Sequence, residues 1–332
     1  MDWDGGGAGK NRLEQKASLR DASPLRALVQ PTRAPRMNST SFYGVHTAIV
    51  TPLKGGAVDY ASLGRLIDFQ IRQGVQGLVP VGTTGESPTL DYDEHIEVIR
   101  YTVARVAGRV MVMAGTGSNS TAEQVEITRR ALAAGAPSLL LITPYYNKPS
   151  QEGLYRHFAA VAKITDKPIF LYSIPGRCVI DIAIPTLKRL HHDFPHIMGL
   201  KDSGGGADRW TELRRELGPK FIVLSGDDAA TLPMMTCGAR GVISVASNLA
   251  AKPLTTMVRL ALAGDFTAAQ KLHVQYFPLF KNLFVEPSPA PIKYALHRAG
   301  LIASPEVRLP LCEVTSGCAQ LLNATLRDLK LA

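Results

Sequence analysis

The sequence predicts an α/β fold, a (β/α)8 TIM barrel with a C-terminal helical appendage, from three observations. Short segments of strand length that are apolar throughout recur along the chain, and a helical pattern follows each of them. Continuously apolar strands are typical of a parallel sheet that helices cover on both faces. Eight such units favour a closed barrel over an open sheet, and 332 residues are enough for one barrel with additional helices.

The predicted strands begin after Gly44, where the pattern becomes regular, and the first of them stops at Pro52. Glycine-rich or proline-containing turns separate most strands from the helices that follow. The eight predicted strands are 46–51, 77–81, 110–114, 138–143, 168–172, 197–201, 221–225 and 241–245.

The predicted helices have apolar residues at helical spacing and recognisable ends. The first has Asp59 as its N-cap and ends at Gly74, and a capping-box pattern at 121–124 begins another that ends near Gly135. The remaining helices are one with Ile96, Ile99, Val103 and Val106 on its apolar face, then 151–164, 185–190, 209–217 and 229–237. The segment 249–332 predicts helices only, one of which closes the barrel.

The domain prediction has three parts: residues 1–36 as a disordered N-terminal extension, 43–262 as the barrel and 263–332 as a C-terminal helical domain. Residues 1–36 contain a glycine run, scattered charges and prolines without hydrophobic periodicity. They lack the apolar segment of a secretory signal. The arginines of this segment are typical of an organellar transit peptide, whereas its acidic residues argue against one. Met37 is an alternative start of the protein.

Composition excludes some classes of function. Hydrophobic content of 45% and charged content of 20% are globular values, and no apolar stretch approaches the ~20 residues of a membrane span. The net charge of +9 is dispersed, without a basic tail. This dispersal makes nucleic-acid binding a weak interpretation, and an anionic small-molecule substrate suits the charge equally well.

The four cysteines show neither a CxxC pair nor the His/Cys spacing of a metal site. Free thiols fit a reducing, cytoplasmic location without disulfides or zinc. Since no phosphate-binding loop occurs either, the sequence predicts no cofactor and no metal.

Lys201 ends an apolar segment of strand length and precedes a glycine-rich turn. Desolvating an ammonium is costly, so a lysine at the buried end of a strand tends to lose its proton. The neutral amine is a nucleophile that forms a Schiff base with a carbonyl. On this stretch alone, a lysine whose head reaches solvent is the alternative.

Other polar side chains stand at the C-terminal ends of the predicted strands, where TIM barrels place their active sites. A phenol can pass a proton, a threonine hydroxyl can donate and accept, and a guanidinium can bind a carboxylate with two hydrogen bonds. Together these groups favour carbon–carbon chemistry on a keto acid through an imine. The residues at these ends are Thr83, Thr84, Tyr145, Tyr146, Tyr172, Arg177 and Lys201.

Each of these residues has a structural alternative when it is taken alone. Tyr172 could be a core tyrosine, the two threonines could be turn residues, and Arg177 could be a surface charge. Glu86, beside the threonines, could cap a helix N-terminus.

Five separated motifs resemble the dihydrodipicolinate synthase family of pyruvate-dependent class I aldolases. The resemblance runs from about Tyr43 to the C-terminus, with the motifs in the same order and at the predicted strand ends. They are GTTGES at 82–87, PYYNKP at 144–149, YSIPGR at 172–177, GLKD at 199–202 and FVEP at 284–287.

This resemblance implies a lyase of lysine and diaminopimelate biosynthesis. Lys201 would attack the ketone of pyruvate to form an imine and then an enamine, which would add to the aldehyde of L-aspartate 4-semialdehyde. The amine of that substrate would displace Lys201 as the ring closes, giving 4-hydroxy-tetrahydrodipicolinate. A homotetramer built from two tight dimers is also implied.

The resemblance also implies roles for the surrounding residues. Tyr172, Thr84 and Tyr146 would form a proton relay, with Tyr146 reaching across the dimer interface. Thr83 and the backbone near Ile243 would hold pyruvate. In addition, Arg177 would hold the carboxylate of the semialdehyde.

Lysine-inhibited members of the family bind L-lysine at the tight-dimer interface, which implies an allosteric site here. The matching positions are Ser87, Pro88, Tyr92, His95, Asn119, Glu123 and Tyr145. Two of them depart from the common pattern, since Tyr92 replaces a histidine and Pro88 an alanine. A third departure is Cys178, which follows Arg177 where serine or threonine is usual; it predicts looser positioning of the semialdehyde and a thiol near the mouth.

The nearest alternative is a sister aldolase such as N-acetylneuraminate lyase or a 2-keto-3-deoxy-sugar acid aldolase, which would share Lys201 and Tyr172. Such enzymes would not need Arg177 or the second threonine in the same place. A dinucleotide-dependent oxidoreductase is disfavoured because neither GTG at 115–117 nor GGG at 204–206 completes GxGxxG after a strand. A protein that only binds pyruvate or lysine would not need the complete set of hydroxyls and amine.

Overall fold

Eight parallel strands close into a barrel in the computed structural model, which describes residues 39–332. Around the ring, each strand pairs with the next barrel strand along the chain, and the last pairs with the first. The predicted TIM barrel with C-terminal helices is therefore confirmed. The predicted disorder of residues 1–36 concerns a segment outside the described residues.

Each predicted strand overlaps an observed one. The strands are β1 Gly44–Ala48, β2 Leu53–Lys54, β3 Ala57–Val58, β4 Gly77–Val79, β5 Met111–Gly115, β6 Ser138–Ile142, β7 Ile169–Ser173, β8 Ile197–Asp202, β9 Ile222–Ser225 and β10 Gly241–Ser244. Only β2 and β3 were not predicted. They form an antiparallel hairpin outside the barrel, and two residues per strand are too few to give a periodic signal.

The helices cover the barrel and then extend beyond it. They are α1 Tyr60–Arg72, α2 Tyr92–Val106, α3 Thr121–Ala133, α4 Gln151–Ala162, α5 Pro175–Cys178, α6 Ile184–Asp193, α7 Ala207–Leu217, α8 Thr231–Thr236, α9 Ser247–Leu262, α10 Phe266–Asn282, α11 Ala290–Arg298 and α12 Ser316–Asp328. Among the helices of residues 39–332, none is long and apolar enough to cross a membrane.

Two details of the predicted helices were wrong. The N-cap of α3 is Ser120, whose side chain accepts from the Glu123 amide, so the predicted capping box at 121–124 starts one residue late. Residues 299–315 contain no helix, although the segment 249–332 was predicted as helices only. Gly300, Pro305 and Pro310 interrupt helical geometry there.

The hydrophobic core has two parts, one between the barrel and its helices and one inside the barrel. Gly199 illustrates how closely the interior is packed. A Cβ on Gly199 would lie 2.2 Å from the Ile222 carbonyl oxygen and 2.5 Å from the Phe170 ring. The glycine two residues before Lys201 therefore lets β8 approach β9 while Phe170 fills the interior.

Helix α9 joins the barrel to the C-terminal helices, because it packs on both β1 and α10. Its backbone departs from helical geometry at Ala250, three residues before Pro253, so the helix is kinked. The described residues belong to one compact unit. The division into domains at 262/263 stays a prediction.

Candidate active site

Lys201 and Tyr172 are paired neighbours on adjacent strands, β8 and β7. Both side chains are buried, with 6% and 4% of their surfaces exposed. The Lys201 Nζ lies 3.9 Å from the centre of the Tyr172 ring. The amine of the predicted nucleophile therefore packs against the ring of the predicted proton-relay tyrosine, and it does not extend into bulk solvent.

The space for the Lys201 side chain depends on Gly226, which follows β9. A Cβ at Gly226 would lie 2.9 Å from Lys201 Cε and 1.9 Å from the Ser203 Oγ. Since no real Cβ approaches a carbon or hydroxyl so closely, a larger residue would displace the lysine. This glycine therefore fixes the direction in which the amine points.

Thr83 and Thr84 lie in a 3-10 turn that follows β4; we call residues 82–87 the threonine turn. The Gly85 amide donates to the Gly82 carbonyl at 3.0 Å, and the Thr51 hydroxyl donates to the Gly85 carbonyl at 2.7 Å. Thr84 is buried and Thr83 is partly exposed. These contacts hold the turn over the mouth of the barrel.

A pocket at the barrel mouth brings several of the predicted residues together. Tyr172 forms part of its wall, and Ile243 belongs to the same cluster inside the barrel as Tyr172. The pocket is lined by Val81, Gly82, Thr83, Ser87, Pro88, Gly115, Gly117, Leu140, Ile142, Tyr145 and Tyr172. Thr83, which was predicted to bind pyruvate, thus lines the same pocket as Ser87 and Tyr145, which were predicted to bind L-lysine.

Tyr146 stands apart from this pocket. Its side chain is 88% exposed, and its backbone has a φ of +75°, which is uncommon for a residue with a side chain. Strained backbone of this kind is concentrated at functional sites. Within the single chain, Tyr146 does not join the predicted proton relay.

Arg177 lies in α5, directly after β7, and its side chain is exposed. One guanidinium nitrogen donates to the Ser288 carbonyl at 3.3 Å, which ties the arginine to the segment before α11. The other donors of the guanidinium stay free to bind a carboxylate.

The Cys178 side chain points into the core beside Thr143, which follows β6. The thiol is fully buried and donates to the Thr143 carbonyl at 3.1 Å, so it is not an accessible thiol near the mouth. Burial raises the pKa of Cys178 to about 11. The sequence could not show this orientation, because it depends on the turn of α5 that directs the side chain inward.

Most of the predicted lysine-binding residues lie close to one another beside the mouth. The Asn119 side-chain amide donates to the Tyr145 carbonyl at 3.2 Å, and Glu123 accepts from Ser118 at 2.9 Å. Burial, and after it the negative charge of Glu123, raise the pKa of Tyr92. Glu123, Tyr92 and Asn119 therefore border Tyr145, which also lines the pocket.

His95 differs from these neighbours because it is buried. Its Nε2 lies 2.8 Å from the Gly115 carbonyl, and burial lowers the pKa of the ring. This contact places the imidazole beneath the pocket rather than at the exposed surface around Tyr92.

Two buried aspartates near the site were not predicted as functional. Asp202 follows Lys201 and lies 3.5 Å from the Arg209 guanidinium; burial raises its pKa to about 6, although Arg209 opposes the shift. Asp228 accepts from the amides of Val245 and Ala246 at 3.1 and 2.9 Å, and burial raises its pKa to about 6 as well. Asp228 thereby fixes the loop that follows Ile243.

The structural alternative for Glu86 was a side chain that caps a helix N-terminus; Glu86 stands at the N-cap of the short 3-10 turn at 87–89, but its side chain makes no capping hydrogen bond there. Its carboxylate is buried and accepts from Lys293 Nζ at 2.5 Å, across 207 positions of sequence. Lys293 was missed although a signal was present, since it stands on the apolar face of α11 with Ala290 and Leu296. A lysine on an apolar stripe requires a buried partner.

Within residues 39–332, no group of three His, Cys, Asp or Glu side chains is arranged to hold a metal ion.

Comparison with known proteins gives a consistent match. The model of the dihydrodipicolinate synthetase family matches residues 41–329. The 4-hydroxy-tetrahydrodipicolinate synthase of Persephonella marina is 46% identical over 287 residues, which cover 86% of this chain and 98% of that protein.

Solved structures give the same result. The 4-hydroxy-tetrahydrodipicolinate synthase of Methylacidiphilum fumariolicum is 48% identical, with a TM-score of 0.85 over 87% of this chain and 96% of that one. The Acinetobacter baumannii dihydrodipicolinate synthase, solved with pyruvate, is 42% identical, with a TM-score of 0.85 and coverage of 87% and 99%. The Cyanidioschyzon merolae enzyme, solved with lysine bound, is 37% identical, with a TM-score of 0.85 and coverage of 88% and 99%.

Proposed function

This chain belongs to the dihydrodipicolinate synthetase family, and from that premise we propose how its residues perform the reaction. The protein is an enzyme, a lyase that condenses pyruvate with L-aspartate 4-semialdehyde to give 4-hydroxy-tetrahydrodipicolinate. The reaction belongs to lysine and diaminopimelate biosynthesis. What is proposed is the assignment of roles to individual residues.

Lys201 is the nucleophile. Its amine attacks the ketone of pyruvate and water leaves, which gives an imine; loss of a methyl proton then gives the enamine. The enamine carbon bonds to the aldehyde carbon of the semialdehyde, whose oxygen takes up a proton. The amine of that substrate then attacks the imine carbon and releases Lys201 as the ring closes.

The contact between the Lys201 nitrogen and Tyr172 is the observation on which the assignment rests. A phenol beside the imine nitrogen can deliver and remove the protons that each step requires. Thr84, buried in the threonine turn, is the next relay member, and Tyr146 completes the relay from a second subunit. Thr83 and the backbone near Ile243 hold pyruvate.

Arg177 binds the carboxylate of the semialdehyde. Its side chain is exposed beside the barrel mouth, and its contact with Ser288 restricts the directions that the guanidinium can take. A guanidinium fixed through one nitrogen can still offer a carboxylate two hydrogen bonds from the others.

Imine trapping tests the nucleophile. Borohydride with pyruvate reduces the imine and adds a stable mass to the chain at Lys201. We expect Lys201→Ala to abolish both this label and turnover, because it removes the amine that packs against Tyr172. Lys220→Ala, which removes an exposed lysine, is the control and should be labelled fully. Continued labelling of Lys201→Ala would reject the assignment.

We also propose that L-lysine binds beside the barrel mouth and inhibits the enzyme. The carboxylate of Glu123 attracts an ammonium, and the Asn119 amide and the hydroxyls of Tyr92, Tyr145 and Ser87 suit an amino acid. The pocket wall that Ser87 and Tyr145 share with Tyr172 supports an effect on turnover.

Lysine inhibition is tested by a matched pair of variants on α3. We expect millimolar lysine to inhibit the parent, and Glu123→Gln to weaken inhibition at least about tenfold, because one charge pair is lost. Glu126→Gln, also exposed on α3, should respond like the parent. If Glu123→Gln and the parent give the same inhibition curve, the lysine site is elsewhere.

The enzyme is proposed to be a cytoplasmic homotetramer of two tight dimers. All four cysteines are free, which suits a reducing compartment. The exposed, strained Tyr146 suits a residue that becomes buried against a second subunit.

A further inference from the structure

The threonine turn is held from the C-terminal part of the chain. Glu86 lies at its end, and both oxygens of its carboxylate have distant partners. Oε1 accepts from Lys293 Nζ at 2.5 Å, and Oε2 accepts from the Arg308 amide at 3.0 Å. Lys293 belongs to α11, and Arg308 to the segment 299–315.

Glu86 is coupled to the threonines through its own backbone. Its amide donates to the Thr83 carbonyl at 3.1 Å. Its φ of +57° is a left-handed conformation that costs energy in a residue with a side chain. A movement of the carboxylate therefore moves the carbonyl of Thr83 and, with it, the adjoining Thr84.

The pair is fully enclosed. The side chains of Glu86 and Lys293 are 1% and 0% exposed, so both charges have lost their water. An enclosed ion pair is often no more stabilising than apolar side chains of similar size. Stability alone therefore gives little reason to keep charges here, whereas a short, directional contact fixes one position of the turn.

Contacts other than the Glu86–Lys293 pair attach the segment 299–315 to the barrel. The Arg308 guanidinium binds both oxygens of Glu94, at 2.5 and 2.6 Å, and also the carbonyls of Thr89 and Gly56. Glu306 accepts from the amides of Gly55 and Gly56. Unlike these contacts, the Glu86–Lys293 pair lies at the threonine turn, where the Arg308 amide is the second donor to Glu86.

We propose that Glu86 is a positioning residue for the reaction, and that its buried contact with Lys293 holds Thr84 where the proton relay needs it. The inference rests on the proposed role of Thr84. It implies that the C-terminal helices are part of the machinery of turnover, although none of their residues touches substrate in this mechanism.

The main variant is Glu86→Leu with Lys293→Met, which replaces the pair with apolar side chains and leaves no single buried charge. We expect it to fold, with thermal unfolding close to the parent, and to lose at least about tenfold in kcat, the scale of a misplaced proton donor. Glu306→Gln, which loosens the same segment without touching the threonine turn, should keep parental kcat. Glu86→Gln is the second variant if the double variant does not fold.

A double-mutant cycle with Thr84→Val separates positioning from general damage. If Glu86 acts through the Thr84 hydroxyl, adding the apolar pair to Thr84→Val should lower kcat by no more than about twofold further. Losses that multiply in the combined variant, or parental kcat in the apolar-pair variant, would overturn the proposal. Borohydride trapping at Lys201 should succeed in all of these variants, so a failure of the positioning role remains distinct from a failure of the imine mechanism.

Discussion

At the scale of the residue, burial gives the same functional group different chemistry at different positions. Lys201 and Lys293 are both buried, yet Lys201 contacts a phenol at a pocket whereas Lys293 contacts a carboxylate in the core. The sequence predicted Lys201 because it ends an apolar strand. It did not predict the partner of Lys293, since 207 positions separate the two residues and no local pattern joins them.

The cysteines give a residue-scale prediction. We expect iodoacetamide at pH 8 to modify exposed Cys312 in the native enzyme and to leave Cys178 unmodified. Burial raises the pKa of Cys178 to about 11, so at pH 8 nearly all of this thiol is protonated. Almost no thiolate is then present to react. Mass spectrometry of peptides measures both sites, and a denatured sample, in which all four react, is the control. Equal native labelling of Cys178 and Cys312 would contradict the burial argument.

At the scale of the element, regular segments were predictable and their long-range attachments were not. Each barrel strand is apolar throughout and is bounded by turn residues, so its own sequence specifies it. The β2–β3 hairpin and the segment 299–315 depend on each other instead: Glu306 accepts from Gly55 and Gly56 in the hairpin turn. Contacts across 250 residues leave no local signal in either segment.

Arg308 gives the prediction at this scale. We expect Arg308→Met to lower the free energy of unfolding by about 2 kcal/mol, because Glu94 loses two charged hydrogen bonds and two carbonyls lose their donors. Urea denaturation followed by circular dichroism measures the change. Arg156→Met, which removes a 77% exposed arginine paired with Glu152 one turn away, should change it by less than about 0.5 kcal/mol. Equal effects of the two substitutions would refute the structural role of Arg308.

At the scale of the whole molecule, the closed barrel brings together strand ends that are far apart in the sequence, and this made most of the candidate site predictable. Lys201 and Tyr172 lie near the ends of β8 and β7 and Thr83 follows β4, and the three share one end of the barrel because its strands are parallel. The contacts of Tyr146 could not be predicted in the same way, because its side chain is exposed within the single chain.

Subunit complementation tests whether Tyr146 acts in a second subunit. We expect Tyr146→Phe and Lys201→Ala to be nearly inactive alone, and a co-refolded equal mixture to regain activity. A hybrid dimer has one complete site when each site takes Lys201 from one chain and Tyr146 from the other, so recovery should approach about one quarter of the parental rate for random pairing. Different affinity tags on the two variants, and purification over both affinity columns in turn, confirm that hybrids form. Hybrids without activity would show that Tyr146 serves its own chain.

The buried contact between Glu86 and Lys293 also has a consequence for how the enzyme is made. A nascent chain emerging from the ribosome exposes Glu86 long before it has synthesised Lys293 and Arg308. Until those residues emerge, the carboxylate has neither of its partners and stays hydrated. The turn that bears the two threonines therefore gains both of these contacts only after Arg308 has been synthesised.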